Sequence, residues 1–501
     1  MIRTAPILAV ALAAPASRAE VKLAPLFVDH AVFQRDAHVP VWGEATPGER
    51  VTVSFKTQTA EATADEHGRW SVTLDPMKAS KEPADLLVKA TNEIRVSDVL
   101  VGDVWLCSGQ SNMEWQLARS DHGAEEIAAA NFPLIRQFLV SRQPVSLDQL
   151  QQRETWSVCS PETAGDFTGV GYFFAREIHR DQGVPIGLIN SSWGGTPIEA
   201  WMSDEALISN PAFQIVFQRW ADEIAAFPEK RRAFERAQAE WEKRAAAAKA
   251  KGEAFHTAAP RAPGGLWDQN KPSRLFTTMI APVIPGAVRG VLWYQGETNG
   301  GRPREYEALL SAMMRDWRHR WGAGDFPFFV VQLPNYASGD AAGTDWARLR
   351  EAQANAVRTE PNAAIAVTID IGDPNDVHPT NKKDVGHRLA LLARGKVYGE
   401  SIACEGPIFA GATPEAGGMR VQFRHAEKLH ARDGAVTGFE LAGVDQKFFP
   451  AEGKIDGESV LVTSAQVRTP VAVRYAWRNA PAASLYNAAG LPAAPFRSDT
   501  W

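Results

Sequence analysis

Cysteine is scarce in this 501-residue chain, which holds only Cys107, Cys159 and Cys404. Three thiols at these spacings make neither a stapled scaffold nor a metal site, although an exported protein could pair two of them, such as Cys107 and Cys159. Cys107 sits in an apolar stretch and reads as a buried free thiol. Positive charge is not in excess either. The formal net charge is -6, with no basic tail or stripe, which argues against a nucleic-acid partner. No run of 18 or more apolar residues occurs, so no membrane span is expected. Nothing in the pattern calls for a metal or an organic cofactor.

What is present is apolar mass. Hydrophobic residues make up 45% of the chain, enough for a large core and more than one domain. Sixteen tryptophans are many for this length. Most belong to the core, but aromatic faces also suit a sugar cleft. The amino terminus has Arg3, a short apolar run over residues 7–14, and the small-x-small pattern Ser17-Arg18-Ala19. Residues 1–19 therefore read as a signal peptide, cleaved after Ala19, with a periplasmic or extracellular destination.

Residues 20–100 alternate as short strands do, through Val51, Val53 and Phe55 and again through Trp70, Val72 and Leu74. They predict a small β-sandwich unit. From residue 101 the pattern changes to continuous apolar runs followed by helical stretches. Runs at 104–107, 184–189, 288–294, 326–333 and 364–371 alternate with helices at 306–317 and 384–398. That predicts a parallel sheet covered on both faces, extending to about residue 400. Residues 205–260, rich in Ala, Glu, Lys and Arg, read as a long helix or helical hairpin inserted into this domain. Residues 401–501 return to alternation and predict a β-rich region.

Polar clusters follow the predicted strands, where α/β sheets bind ligands. Gly109-Gln110-Ser111-Asn112-Met113 comes first. Glycine permits a sharp turn, and a following helix would offer free N–H groups to an oxyanion. Ser111 reads either as a nucleophile or as a helix cap paired with Glu114. Met113 rules out a G-x-S-x-G elbow. Asp376-Val377-His378-Pro379 offers a base, since Pro379 keeps His378 in a loop and imidazole titrates near neutrality. Asp376, Asp373 or a backbone carbonyl could orient that ring. Gln295-Gly296-Glu297-Thr298-Asn299 and Asn190-Ser191-Ser192-Trp193-Gly194-Gly195-Thr196 follow two further strands. Each could supply oxyanion donors or simply be a turn. A nucleophile, a base and donors around one carbonyl are what acyl transfer requires.

Four segments together carry a resemblance. Residues 106–115, the Trp293–Asn299 block, the Asp376–Lys382 block and the Asn190–Thr196 block resemble, in the same order, the signatures of the sialate O-acetylesterase-like family of SGNH hydrolases. The resemblance spans essentially the whole mature chain. It implies a flavodoxin-like α/β fold with accessory β-sandwich regions, and a serine esterase that needs no cofactor. It also implies Ser111 as nucleophile and His378 as base, with the Ser111 N–H, Gly194 or Gly195, and Gln295 as the oxyanion hole. Trp193, Glu297 and Asn299 become candidate substrate contacts. SGNH relatives often carry the acid three residues before the histidine, where this chain has Asn375. Asp376 is the favoured acid and Asp373 the runner-up.

The expected activity is hydrolysis of acetyl esters on sugars, leaning toward plant oligosaccharides of xylan or xyloglucan type. A sialate O-acetylesterase is the alternative. Arg119 and Arg348 are the arginines whose position bears on that choice, because sialate carries a carboxylate. Two rivals stand outside esterases: a noncatalytic carbohydrate-binding protein, and a glycosidase using Glu297 with Asp376.

Overall fold

The computed structural model describes residues 20–142, 155–337, 339–340, 343–415 and 417–501. The expected signal peptide lies outside them. Among the described residues no helix is long and apolar enough to cross a membrane, and no cluster of side chains suits a metal ion. All three cysteines are free thiols.

The fold is α/β. An eleven-stranded mixed sheet forms the centre, and a seven-stranded antiparallel sheet spans Ile408–Glu415 to Phe496–Arg497. Across the middle of the central sheet run Phe132–Leu139, Ile186–Ser192, Glu93–Gly109, Gly290–Tyr294, Phe328–Val331 and Ala363–Ala366, each parallel to its neighbour. Trp156–Cys159 closes one edge, antiparallel to Phe132–Leu139.

The continuous apolar runs have a direct cause. Along Glu93–Gly109, Val104 and Leu106 enter the core on one face of the sheet, while Trp105 and Cys107 enter the core on the other. Val291 and Trp293 against Leu292 and Tyr294 divide in the same way. A strand buried on both faces cannot alternate apolar with polar. Helices Gly169–Gln182 and Lys382–Lys396 cover one face, and Pro303–Trp321 and Asp345–Thr359 cover the other.

Strand Glu93–Gly109 is 17 residues long and passes through residue 100 without a break. Its first part pairs with Ser80–Lys89 of the amino-terminal strands, and its second part is the middle of the parallel sheet. The change of pattern near residue 100 therefore marks a change of burial along one strand. At the other end of the chain, Arg350 is fully buried and donates to the carbonyls of Leu333, Pro334, Arg478 and Asn479. It ties the central sheet to the carboxy-terminal region through hydrogen bonds alone. The helix Gln214–Lys251 runs 38 residues and buries only Val216.

Candidate active site

The ends of three neighbouring strands lie level: Gly109 pairs in register with both Ser192 and Tyr294. Gly109 makes the turn that follows possible. Its φ is +134°, and a Cβ there would lie 2.1 Å from the Tyr294 carbonyl oxygen. The chain then enters the short helix Ser111–Glu114, whose cap is Gln110, with no side-chain capping bond. The Ser111 hydroxyl is thus not spent on a cap. It meets His378 Nε2 at 2.8 Å. The Ser111 N–H is the first of the helix and has no acceptor within it.

His378 lies beyond the Ala363–Ala366 strand and is held from several sides. The Trp115 indole stacks on the imidazole, with centroids 5.4 Å apart and planes 21° from parallel. Asp376 Oδ1 accepts the His378 backbone N–H at 2.8 Å, and the same oxygen is 3.7 Å from ring Nδ1. That separation is too long for a hydrogen bond but short for a charge interaction. Asp373 is turned elsewhere, accepting the Asn375 N–H at 2.8 Å. Asp376 is therefore the carboxylate beside the ring, but as an exposed charge rather than a hydrogen-bonded partner. Burial pushes the His378 imidazole below its ordinary value, Asp376 opposes this, and Lys382 and Arg119 add to the depression.

Asn112 joins the catalytic segments. Its Nδ2 donates to the Val377 carbonyl at 2.9 Å and to Glu297 Oε1 at 2.6 Å. Its Oδ1 accepts from Lys382 Nζ at 2.6 Å. One amide thus ties the residue after the nucleophile to the residue before the base. Lys382 is completely buried, with its ammonium 5.3 Å from the Trp115 ring centre and 5.6 Å from that of Tyr294. Burial pushes its pKa down to about 7. The Glu297 carboxyl is raised by burial, and its Oε2 is enclosed with no hydrogen-bond partner.

Several expected contacts are redirected. Gln295 is fully buried and its amide donates to Thr196 O and Asn299 Oδ1, while its Oε1 accepts from Tyr306. It points into the protein and offers nothing to an oxyanion in this arrangement. Asn299 is equally internal, donating to Glu199 and accepting from Ile198 N–H. Glu297 lines the smaller cavity, but its carboxyl is enclosed against Asn112, whereas Asp376 is exposed, so the two do not form a glycosidase pair in this arrangement. Gly194 abuts the nucleophile, since a Cβ there would lie 3.1 Å from Ser111 Cβ. Its N–H is taken by Glu114 Oε2 at 2.6 Å, and Glu114 in turn pairs with Arg142. Trp193 and Gly195 line the cleft beside Ser111.

Ser111 and His378 sit where two cavities meet, of about 1120 and 840 Å³. Arg119, Arg142 and Arg261 line the larger one. Arg119 sits over the Trp115 ring that stacks on His378, its guanidinium carbon 3.8 Å from the ring centre. No described carboxylate pairs with Arg119 or Arg261. The acidic groups of this cavity are engaged: Glu114 with Arg142, Glu162 with the Ser160 hydroxyl, Asp166 with Gln116. Arg348 does not line either cavity. The sequence reading had no role for Trp115, Arg142, Arg261 or Lys382, and saw Asn112 only as part of the serine motif.

A family model described as carbohydrate esterase, sialic acid-specific acetylesterase, matches residues 101–230 and 261–393. Human sialate O-acetylesterase is 29% identical over 526 residues, covering 93% of this chain and 90% of that protein. The mouse protein of the same name is 29% identical over 504 residues, covering 91% of this chain and 90% of its own length. A crystal structure described as a novel carbohydrate acetylesterase from Xanthomonas citri is 40% identical. It covers 96% of this chain and 100% of its own, with a TM-score of 0.80.

Proposed function

We propose that this chain, which belongs to the family of carbohydrate esterases described as sialic acid-specific acetylesterases, removes acetyl groups from a sugar that bears a carboxylate, as sialic acids do. It is a carboxylic ester hydrolase acting on acetylated carbohydrate. That excludes the noncatalytic binding protein. The expectation of a plant oligosaccharide gives way to the sialate alternative. The mammalian relatives named above support that alternative, and so does the cleft, where no carboxylate among the described residues pairs with Arg119. The order of five parallel strands supports an SGNH-type sheet. With Glu93–Gly109 counted first and Phe132–Leu139 set aside, the spatial order is second, first, third, fourth, fifth, the flavodoxin-like order. Residues 1–19 would direct export.

In the proposed reaction, His378 Nε2 removes the Ser111 proton as Oγ attacks the acetyl carbonyl. The oxyanion forms against the Ser111 N–H and the Gly194–Gly195 turn, displacing the Glu114 carboxylate from the Gly194 N–H while Arg142 retains it. His378 then protonates the leaving sugar oxygen. Water, deprotonated by the same ring, releases acetate and restores Ser111. The observation that carries this reading is the 2.8 Å Ser111–His378 contact in a cleft faced by Arg119.

Acetate release from O-acetylated sialic acid and from acetylated xylan fragments tests the substrate. Arg119→Ala is expected to lower kcat/KM on the acidic sugar by roughly 10- to 100-fold, the worth of one charged hydrogen-bonded contact, and to change the neutral substrate little. A wild-type preference for acetylated xylan would refute the sialate reading. Asp376 gives a second expectation. It touches the ring by charge only, so Asp376→Asn should cost about tenfold or less in kcat, well below the ~10⁴-fold of a hydrogen-bonded triad acid. Because Asp376 raises the His378 pKa, its neutralisation moves the acid limb of kcat/KM to lower pH. A pH–rate profile of the variant reads both.

A further inference from the structure

We propose that the smaller arm of the cleft is a second carbohydrate subsite, in which Trp267 stacks on the sugar ring next to the acetylated residue. This rests on the sugar-esterase reading and extends it to the rest of the glycan. Trp267 is 75% exposed and Leu266 beside it is 62% exposed, an unusual position for two large apolar side chains. They do not sit on a featureless surface. Trp267 lines the cavity of about 840 Å³ that also holds Ser111, His378 and Trp193. That volume alone falls in the ~300–1,000 Å³ range of small-molecule sites, and the larger cavity, which also reaches Ser111, adds to it. An acetylated monosaccharide at Ser111 fills only one arm.

The turn that carries Trp267 is braced. Gly265–Trp267 is a single helical turn, packed so tightly on the long helix that a Cβ at Gly265 would lie 2.7 Å from Phe227. On its other side, Gln269 Nε2 donates to the Gly194 carbonyl at 3.0 Å, next to the nucleophile. The Arg274 guanidinium carbon lies 5.3 Å from the Trp267 ring centre. This gives the helix Gln214–Lys251 a purpose, since it contributes almost nothing to the core: it scaffolds one wall of the cleft. Asp268, Gln269 and Asn270 supply hydrogen-bonding groups beside the indole. An aromatic face flanked by such groups suits the apolar face and rim hydroxyls of a sugar ring.

The test compares O-acetylated sialic acid free and as the terminal residue of an oligosaccharide, in wild type, Trp267→Ala and Trp267→Phe. Trp267→Ala is expected to lower kcat/KM on the linked substrate roughly tenfold, mainly through KM. Trp267→Phe should lose less, and the free sugar should lose little with either. Equal loss on free and linked substrates, or no loss on either, overturns the subsite. If the carboxylate reading is the part that fails, wild type will favour acetylated neutral sugars. The linked-to-free ratio measured on an acetylated xylo-oligosaccharide and its monosaccharide then still decides Trp267.

Discussion

Ser111→Ala is expected to lower kcat by at least about 10⁴-fold on any acetylated sugar while leaving the fold intact. The change removes one oxygen from a residue that is only partly buried and that caps no helix, so thermal unfolding should shift little. It deletes the atom that must bond to the acetyl carbon, and no other hydroxyl among the described residues meets His378. His378→Ala should fall to a similar floor, and the double variant should be scarcely worse than either, because the two groups act as one unit. Binding of a non-hydrolysable sugar analogue should survive in Ser111→Ala. A variant that retained activity would place the chemistry elsewhere in the cleft.

The second large effect is expected at Asn112 and Lys382. Asn112→Ala cuts the tie between the Ser111 helix and the Val377 carbonyl and leaves Lys382 and Glu297 enclosed without it. The Ser111–His378 distance is then no longer fixed, and misplacement by about 1 Å can cost on the order of 10²-fold. The loss should appear in kcat, with KM nearly unchanged. Lys382→Met separates position from charge. Lys382 depresses the His378 pKa whereas Asp376 raises it. Lys382→Met should therefore move the acid limb of kcat/KM to higher pH, opposite to Asp376→Asn. Stability has its own sign. Lys382 titrates near 7 in the folded chain against an ordinary 10.5. Its contribution is full above about 10.5, declines as pH falls, and is lost once pH passes below about 7. Relative to wild type, Lys382→Met should gain stability as pH is lowered through that window and stay level below it. Denaturant midpoints at several pH values measure this. Acid limbs moving the same way in the two variants would refute the electrostatic account of His378.

What could be read from the chain alone follows a physical pattern. Strands buried on both faces announce themselves as unbroken apolar runs, so the positions of Ser111, Trp193 and Gln295 just past strand ends were visible. Pro379 placed His378 in a loop. The direction of a side chain was not visible. Gln295 follows a strand as an oxyanion donor could, yet Tyr306 and Asn299 draw its amide inward, and those partners belong to separate helical turns. Lys382 opens a helix, where a lysine ordinarily faces solvent. Only the packing of Trp115 and Tyr294 around it shows that it is enclosed. The strand Phe132–Leu139 went unseen because its burial is uneven, with Phe132, Pro133, Leu134 and Leu139 less covered than the four residues between them. Arg142 and Arg261 are distant from every motif and reach the cleft through folding.

The most direct measurement is rapid quenching of the enzyme during turnover of O-acetylated sialic acid, with peptide mass analysis. One acetyl group is expected on the peptide holding Ser111, formed and lost at rates consistent with kcat, and absent in Ser111→Ala. Acetate release with no acetyl on that peptide, at a rate that Ser111→Ala preserves, would contradict the account.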